Sequence, residues 1–303
     1  MLNNITAEVK PEKVFILDVK EKKGANGPYV SVTFTDGNVK MSANAFQPAT
    51  DFLPYKGKIV DMALSRNKNG FVNINRIIRE YHEDISPYVP HGNIDPEAGM
   101  KMIFDTIDSI TNDVLRNITR GIMEQNQDKF KIWTAAKSVH HNFLNGLLYH
   151  TCRMLACGKR ITGVYKLNSD LLCAGIILHD IGKLRELSMD EFGNGEYSID
   201  GNLFGHLFMG AEMVNDMADL LAIPRDTEEV KLLKHMLLSH HQLQENGAVK
   251  VPMIPEAYAL SVIDDLDARM MIFEDTYKEL GNGEMSDSVN KFLNNAVVYK
   301  PNL

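Results

Sequence analysis

The sequence predicts two units of different class, a small antiparallel β-barrel followed by an all-helical bundle. Three observations separate them. Through the first 80 or so positions, apolar and polar residues alternate in short runs divided by turn residues, whereas from Asp95 onward apolar residues recur at three and four. Charge changes at the same place: residues 1–84 hold 12 basic and 10 acidic side chains, a net of +2, and a chain total of -8 leaves -10 for the remainder. Eight of the ten histidines fall between His140 and His241.

In the front unit five runs read as strands: Val14 to Val19, Tyr29 to Thr35, Asn38 to Ala45, Lys58 to Ser65 and Phe71 to Ile77. Turn chemistry lies between them at Gly24 to Gly27, Asp36-Gly37 and Asn67 to Gly70. A longer connection from Phe46 to Gly57 separates the third strand from the fourth, which suggests a Greek-key barrel of the OB type. Tyr29, Phe34 and Phe46, with Lys22, Lys23, Lys40, Arg66 and Lys68, offer the rings and cations by which such barrels hold single strands. Alternate aromatics serve equally as core.

Tyr81 to Pro96 has three prolines and no sustained period, so it reads as a linker. Asp95-Pro96 then opens an amphipathic helix in which Ile103, Ile107, Ile110, Val114, Ile118 and Ile122 share one stripe. Further stripes run through Leu144 to Leu155, Leu171 to Leu178, Leu203 to Leu221, Val230 to Leu238 and Ala257 to Met271. Short connections make the unit a bundle.

At 44% hydrophobic and 24% charged residues, disordered, collagen-like and coiled-coil readings are excluded. No apolar stretch is long enough to span a bilayer, and nothing near Met1 resembles a signal peptide. Cys152, Cys157 and Cys173 lack a CxxC pair and sit in apolar helical runs, as reduced packing thiols do in a cytoplasmic protein. The acidic balance opposes indiscriminate coating of nucleic acid and leaves room for a strand held locally.

The candidate ligands are His150, the pair His179-Asp180, His206, the pair His240-His241, and Asp264. A lone His-Asp dipeptide means little, but this one ends the apolar run Leu171 to Leu178, where an unpartnered carboxylate would be costly. His206 shares a stripe with Gly210, Met213 and Met217; His240 follows Val230, Leu233 and Leu237; Asp264 lies one turn from Leu260 and Ala268. Polar residues on the apolar faces of consecutive helices are how bundles assemble metal sites. Imidazole nitrogen with carboxylate oxygen suits Mn, Fe, Zn, Co or Ni rather than Ca. His82, His91 and His235 fall outside the series and read as surface or linker histidines.

His150, His179-Asp180 and Asp264, in that order on helices, resemble the H...HD...D signature of the HD-domain metal-dependent phosphohydrolases. His179-Asp180-Ile181-Gly182-Lys183 matches the usual HDIGK form, and the added His206 and His240-His241 resemble the subset holding two metals bridged by the Asp of the pair. With the stretch His140 to Thr151 and the OB-like front, the chain resembles the YhaM family of 3'-to-5' exoribonucleases. The resemblance implies an OB-like nucleic-acid-binding domain at 1–84, a linker at 85–97 and an HD phosphohydrolase domain at 98–303. Aligning Asp267-Ala268 with the family's terminal Asp-Ala implies Asp264 as the last ligand. Asp267, on the same helix face, would then support it from behind, while Asp265 points about 100 degrees away. The resemblance also places His140-His141-Asn142 in the site wall, with His141 set to touch substrate phosphate; a helix N-terminal turn is its plainer use.

The activity so implied is hydrolysis of single-stranded RNA, and of DNA as a second substrate, with Asp180 bridging two divalent transition metals, manganese first among them. Lys183, one turn past the pair, would offset charge on the phosphoryl oxygens or, more simply, a helix dipole. Two competing readings are a phosphodiesterase or nucleotidase for cyclic or small nucleotides, and a non-catalytic single-strand-binding protein with a structural metal. No membrane partner is expected, and self-association is left open.

Overall fold

The computed structural model describes residues 2, 5–24, 27–85, 87–135 and 143–303. They divide into two units, residues 1–90 with 276–286 and 299–303, and residues 91–275 with 287–298.

In the first unit β1 (Lys10–Gly24), β2 (Gly27–Thr35), β3 (Lys40–Ala45), β4 (Ile59–Arg66) and β5 (Val72–Tyr81) close into a barrel in the order β1-β2-β3-β5-β4. The order is consistent with an OB-like Greek key. Pairing is antiparallel except at the β3–β5 seam, where Asn44 faces Asn73 in parallel. β1 serves two neighbours: Lys10 to Phe15 pair with β4 and Phe15 to Gly24 with β2, with a register shift between Ile16 and Asp18. Beside this irregularity alternation fails, and Val14, Phe15, Ile16 and Leu17 are all fully buried. Phe34, grouped above with the ring-bearing surface residues, is a core side chain. It continues the inward face of Val30 and Val32 at every second position, and packs with Ile16, Met62 and Leu64 in one cluster.

The isoleucine stripe of the second unit is divided between two helices, α1 (Pro96–Ser109) and α2 (Asp113–Ile132), rather than carried by one. Capping outweighs periodicity here. The Asn112 side chain accepts from the Leu115 N–H, and Asp170 Oδ2 accepts from the N–H groups of Thr111 and Asn112, each at 2.9 Å. The stripe survives the break because Ile103, Ile107, Ile118 and Ile122 all enter one core.

α3 (Gly146–Ile161), α4 (Ser169–Leu178), the single turn α5 (Lys183–Glu186), α6 (Ile199–Leu220), α7 (Glu228–Ser239) and α8 (Pro255–Glu279) follow. α4 is buried at every residue from Leu171 to Leu178 and packs against α2, α3 and α7, so its C-terminal end opens inside the bundle. A hairpin of β6 (Leu187–Met189) and β7 (Gly195–Tyr197) interrupts the helices, its turn closed by Asp190 Oδ1 accepting from the Phe192 and Asn194 N–H groups. Among the described residues no helix is long and apolar enough to cross a membrane.

Candidate metal centre

Five elements converge at the buried end of α4. His150 projects from α3, His179 and Asp180 follow α4, His240 and His241 follow α7, and Asp264 lies on α8. His206 reaches the cluster through a break in α6. Gly205 there has φ 72° and ψ 158°, a conformation essentially reserved for glycine, and the helix restarts at His206 with a freed N–H. Glu186 Oε1 accepts that N–H at 3.0 Å and lies 2.9 Å from His206 Nδ1.

The imidazoles are held from behind in a common way. Nδ1 of His179 donates to the Ile176 carbonyl and Nδ1 of His240 to the Leu237 carbonyl, both at 2.8 Å. Nδ1 of His150 lies 2.7 Å from Asp267 Oδ2, and Asp267 is itself held by Arg153 Nε at 2.5 Å. With Nδ1 committed on the His179, His206 and His240 rings, their Nε2 lone pairs are left to point inward, while His150 Nε2 stands 3.2 Å from Asp264 Oδ1. His179 Nε2 then stands 3.3 Å from Asp180 Oδ2, while His206 Nε2 and His240 Nε2 stand 3.4 and 3.7 Å from Asp180 Oδ1.

None of these approaches satisfies His179 Nε2, His206 Nε2 or Asp180 Oδ1 with a hydrogen bond. Among the described residues His179 Nε2, Asp180 Oδ1, His206 Nε2 and His241 Nδ1 are buried with no hydrogen-bond partner. Burying four such atoms together is costly unless something accepts their lone pairs. Neutral imidazole nitrogens and carboxylate oxygens turned on one space are the donor set of a divalent transition metal. Among the described residues three triads lie close enough to hold an ion: His150, His179 and Asp264; His179, Asp180 and His240; His206, His240 and His241. The first and last share no residue, and the triad containing Asp180 lies between them through His179 and His240.

The electrostatics fit a site made for cations. Burial raises the Asp180 carboxyl, but Lys183, with Nζ at 2.6 Å from Oδ2, and the surrounding histidines outweigh it and hold the group well below the usual carboxylate range. Burial likewise opposes the Lys183 ammonium, and Asp180 restores it to a pKa above the ordinary value. His150 loses to burial and gains more from Asp264 and Asp267, ending at about 9. His241 is pushed down to about 3 by burial and by His240 and His206, and burial also lowers His240.

A pH dependence follows for the chelator-treated protein. The raised His150 pKa contributes about 3 kcal/mol that is complete below pH 6.5 and lost as pH rises through 9. Below pH 6.5 the unfolded chain binds protons that folded His240 and His241 refuse, so stability also falls on the acid side. Thermal melts from pH 5 to 9 are therefore expected to peak near pH 6.5, and a monotonic trend would contradict the arrangement. With Mn2+ present the alkaline limb should flatten, because the metal occupies the nitrogen that the proton leaves.

All seven candidate ligands named from the sequence thus meet in one cluster, joined by neighbouring ring pairs 4.6 to 5.7 Å apart from His150 through His179, His240 and His206 to His241. Lys183 touches Asp180, and Asp267 stands behind His150. His141 lies outside the described residues. His235 is not a plain surface histidine: its Nε2 accepts the Met253 N–H at 3.0 Å, pinning the connection between α7 and α8. Glu186 and Arg153 were missed. Glu186 left one signal, a carboxylate six residues after Asp180 in the HDIGK stretch.

A convergent histidine and carboxylate cluster within a helical bundle defines a metal-ligating domain. Residues 147–269 match the family model described as HD domain, which covers every one of these ligands and supports a metal-dependent phosphohydrolase. No solved structure matches the chain.

Proposed function

We propose that the protein is a metal-dependent 3'-to-5' exonuclease of single-stranded RNA, with DNA as a second substrate, as in the family it resembles. The observation that carries this reading is the joining of a closed five-strand barrel to an HD centre whose inward nitrogen and oxygen atoms are otherwise unsatisfied. The barrel has the surface a strand needs. Phe46 and Phe71, 79% and 67% exposed, flank the β3–β5 seam, and exposed Arg76 and Arg79 lie along β5.

Two divalent ions, manganese first, would be held by the His150, His179 and Asp264 group and by the His206, His240 and His241 group, with Asp180 between. When bound, they supply an activated water and a clamp on a phosphoryl oxygen. Asp180 presents one oxygen towards His179 and the other towards His206 and His240, so it serves both groups. Asp267 and Glu186 keep His150 and His206 turned inward. Lys183, anchored on Asp180, brings positive charge to the place where a phosphate would sit. The leaving group is the 3' oxygen of the penultimate nucleotide.

The test is to incubate Mn2+-reconstituted protein with 5'-labelled single-stranded RNA and, separately, with cyclic nucleotides. Labelled products shortening one nucleotide at a time, and halted by a chelator, are expected. Turnover of cyclic nucleotides with RNA intact would assign the centre to small nucleotides instead. No turnover of either by metal-loaded protein would overturn both enzymatic readings for these substrates.

A further inference from the structure

A separate cavity of about 610 Å³ opens on the helical unit, and none of the seven candidate metal ligands lines it. Its walls carry Lys129 and Trp133 from the end of α2, Arg185 from α5, and Asp200, Phe204 and Glu212 from α6. Its size lies within the range of small-ligand pockets.

Lys129 is the member that calls for an explanation. Its ammonium lies 4.1 Å from the centroid of the Trp133 ring and donates to the Leu184 carbonyl, on an otherwise exposed side chain. Among the described residues it has no carboxylate partner. Burial, and after it the nearby Arg185 cation, lower its pKa. Among the described residues the acidic partner of Arg185 is the exposed Asp216 at 3.6 Å, a weak and solvated contact. Two cations directed at one concavity repel each other unless an anion is shared between them. Beside them Phe204, 56% exposed, presents a flat apolar face, while the Trp133 ring is buried beneath the Lys129 ammonium. Asp200 and Glu212 only accept hydrogen bonds when ionised, so they suit hydroxyl donors and oppose a second phosphate.

We propose that this cavity binds a nucleoside monophosphate, with its base on Phe204, its phosphate between Lys129 and Arg185, and its ribose hydroxyls on Asp200 and Glu212. The site is distinct from the metal centre and stands whichever phosphodiester that centre cleaves. It also has a backbone route to it. Trp133 Nε1–H donates to the Lys183 carbonyl at 3.1 Å, and Lys129 holds the next carbonyl, on the turn whose Lys183 side chain reaches Asp180.

Trp133 is the chain's sole tryptophan, so its emission reports on this cavity. Chelator-treated full-length protein is titrated with AMP, 2'-deoxy-AMP, adenosine and inorganic phosphate, following emission and heat together. Saturable AMP binding is expected, with 2'-deoxy-AMP weaker and with adenosine and phosphate each weaker by at least about tenfold. Lys129→Met and Arg185→Ala should each weaken AMP binding by a similar factor, and Arg185→Ala, at a half-exposed position, keeps the test valid if the lysine variant fails to fold. No heat and no emission change up to about 10 mM AMP would overturn the proposal. So would equal binding of AMP and adenosine, or unaltered AMP binding in Arg185→Ala.

Discussion

Asp180→Asn is expected to abolish turnover, by roughly three orders of magnitude or more, and to lower metal content in the same preparation. The carboxylate has an oxygen towards each half of the histidine cluster, so the amide removes charge and a ligand atom from the triad that links the two halves. It also strands Lys183, whose ammonium lies 2.6 Å from Asp180 Oδ2 in a largely buried setting. Removing one partner of such a pair costs about 3 kcal/mol, so chelator-treated Asp180→Asn should unfold at lower urea than the wild type. The two losses have different origins and can be separated. The double variant Asp180→Asn with Lys183→Met restores an apolar match and should recover most of the stability while recovering none of the turnover. Metal analysis, urea titration and the RNA assay on the three proteins check this. Turnover within about tenfold of wild type in Asp180→Asn would place the reacting centre elsewhere.

Legibility in the sequence followed how locally each feature is determined. β2 was readable because apolar Val30, Val32 and Phe34 alternate with Tyr29, Ser31, Thr33 and Thr35, although Ser31 and Thr35 on the second face are buried as well. β1 extends past its apolar run to Gly24 because Glu21, Lys22 and Lys23 still pair with Val30, Tyr29 and Pro28 in a ribbon beyond the core. Backbone pairing holds that part, so hydropathy carries no trace of it. The metal-ligand candidates were readable for the opposite reason: a histidine or aspartate interrupting an apolar stripe is a conflict that only a buried partner resolves. Asp267 could be inferred from sharing a helix face with Asp264. Arg153 could not, since its carboxylates, Asp267 and Glu274, lie more than a hundred residues away in sequence and nothing local distinguishes it from a solvated arginine. The hairpin β6–β7 was hidden in the same way, because three-residue strands have no period to display.

Gly182→Ala should be the most damaging single-methyl addition near the centre, although Gly182 has an ordinary helical φ of -61° and needs no conformational freedom. Its reason for being glycine is proximity. A Cβ at this position would stand 2.0 Å from the His206 carbonyl oxygen and 2.8 Å from the Gly210 nitrogen, so it would meet backbone that cannot rotate away. The turn between Asp180 and Lys183 and the second half of α6 touch main chain to main chain, and that contact sets how far His206 Nε2 lies from Asp180, now 3.4 Å. Inserting a methyl there must push α6 outward, at about 3 kcal/mol or more, the upper end for overpacking. Because His206 moves with the helix, metal affinity should fall by at least about tenfold along with stability. Gly210→Ala is the control on the opposite wall of the same contact. Its Cβ comes closest to the tip of Leu237, at 3.2 Å, which can shift, so the cost should stay within about 1 kcal/mol and metal binding should hardly change. Equal damage from the two alanines, measured by thermal unfolding and Mn2+ titration, would show that helix spacing does not set the centre. The ordering expected instead gives the glycine of the HDIGK stretch a physical role: it lets the turn bearing Asp180 and the helix bearing His206 approach closely enough for both side chains to face one ion.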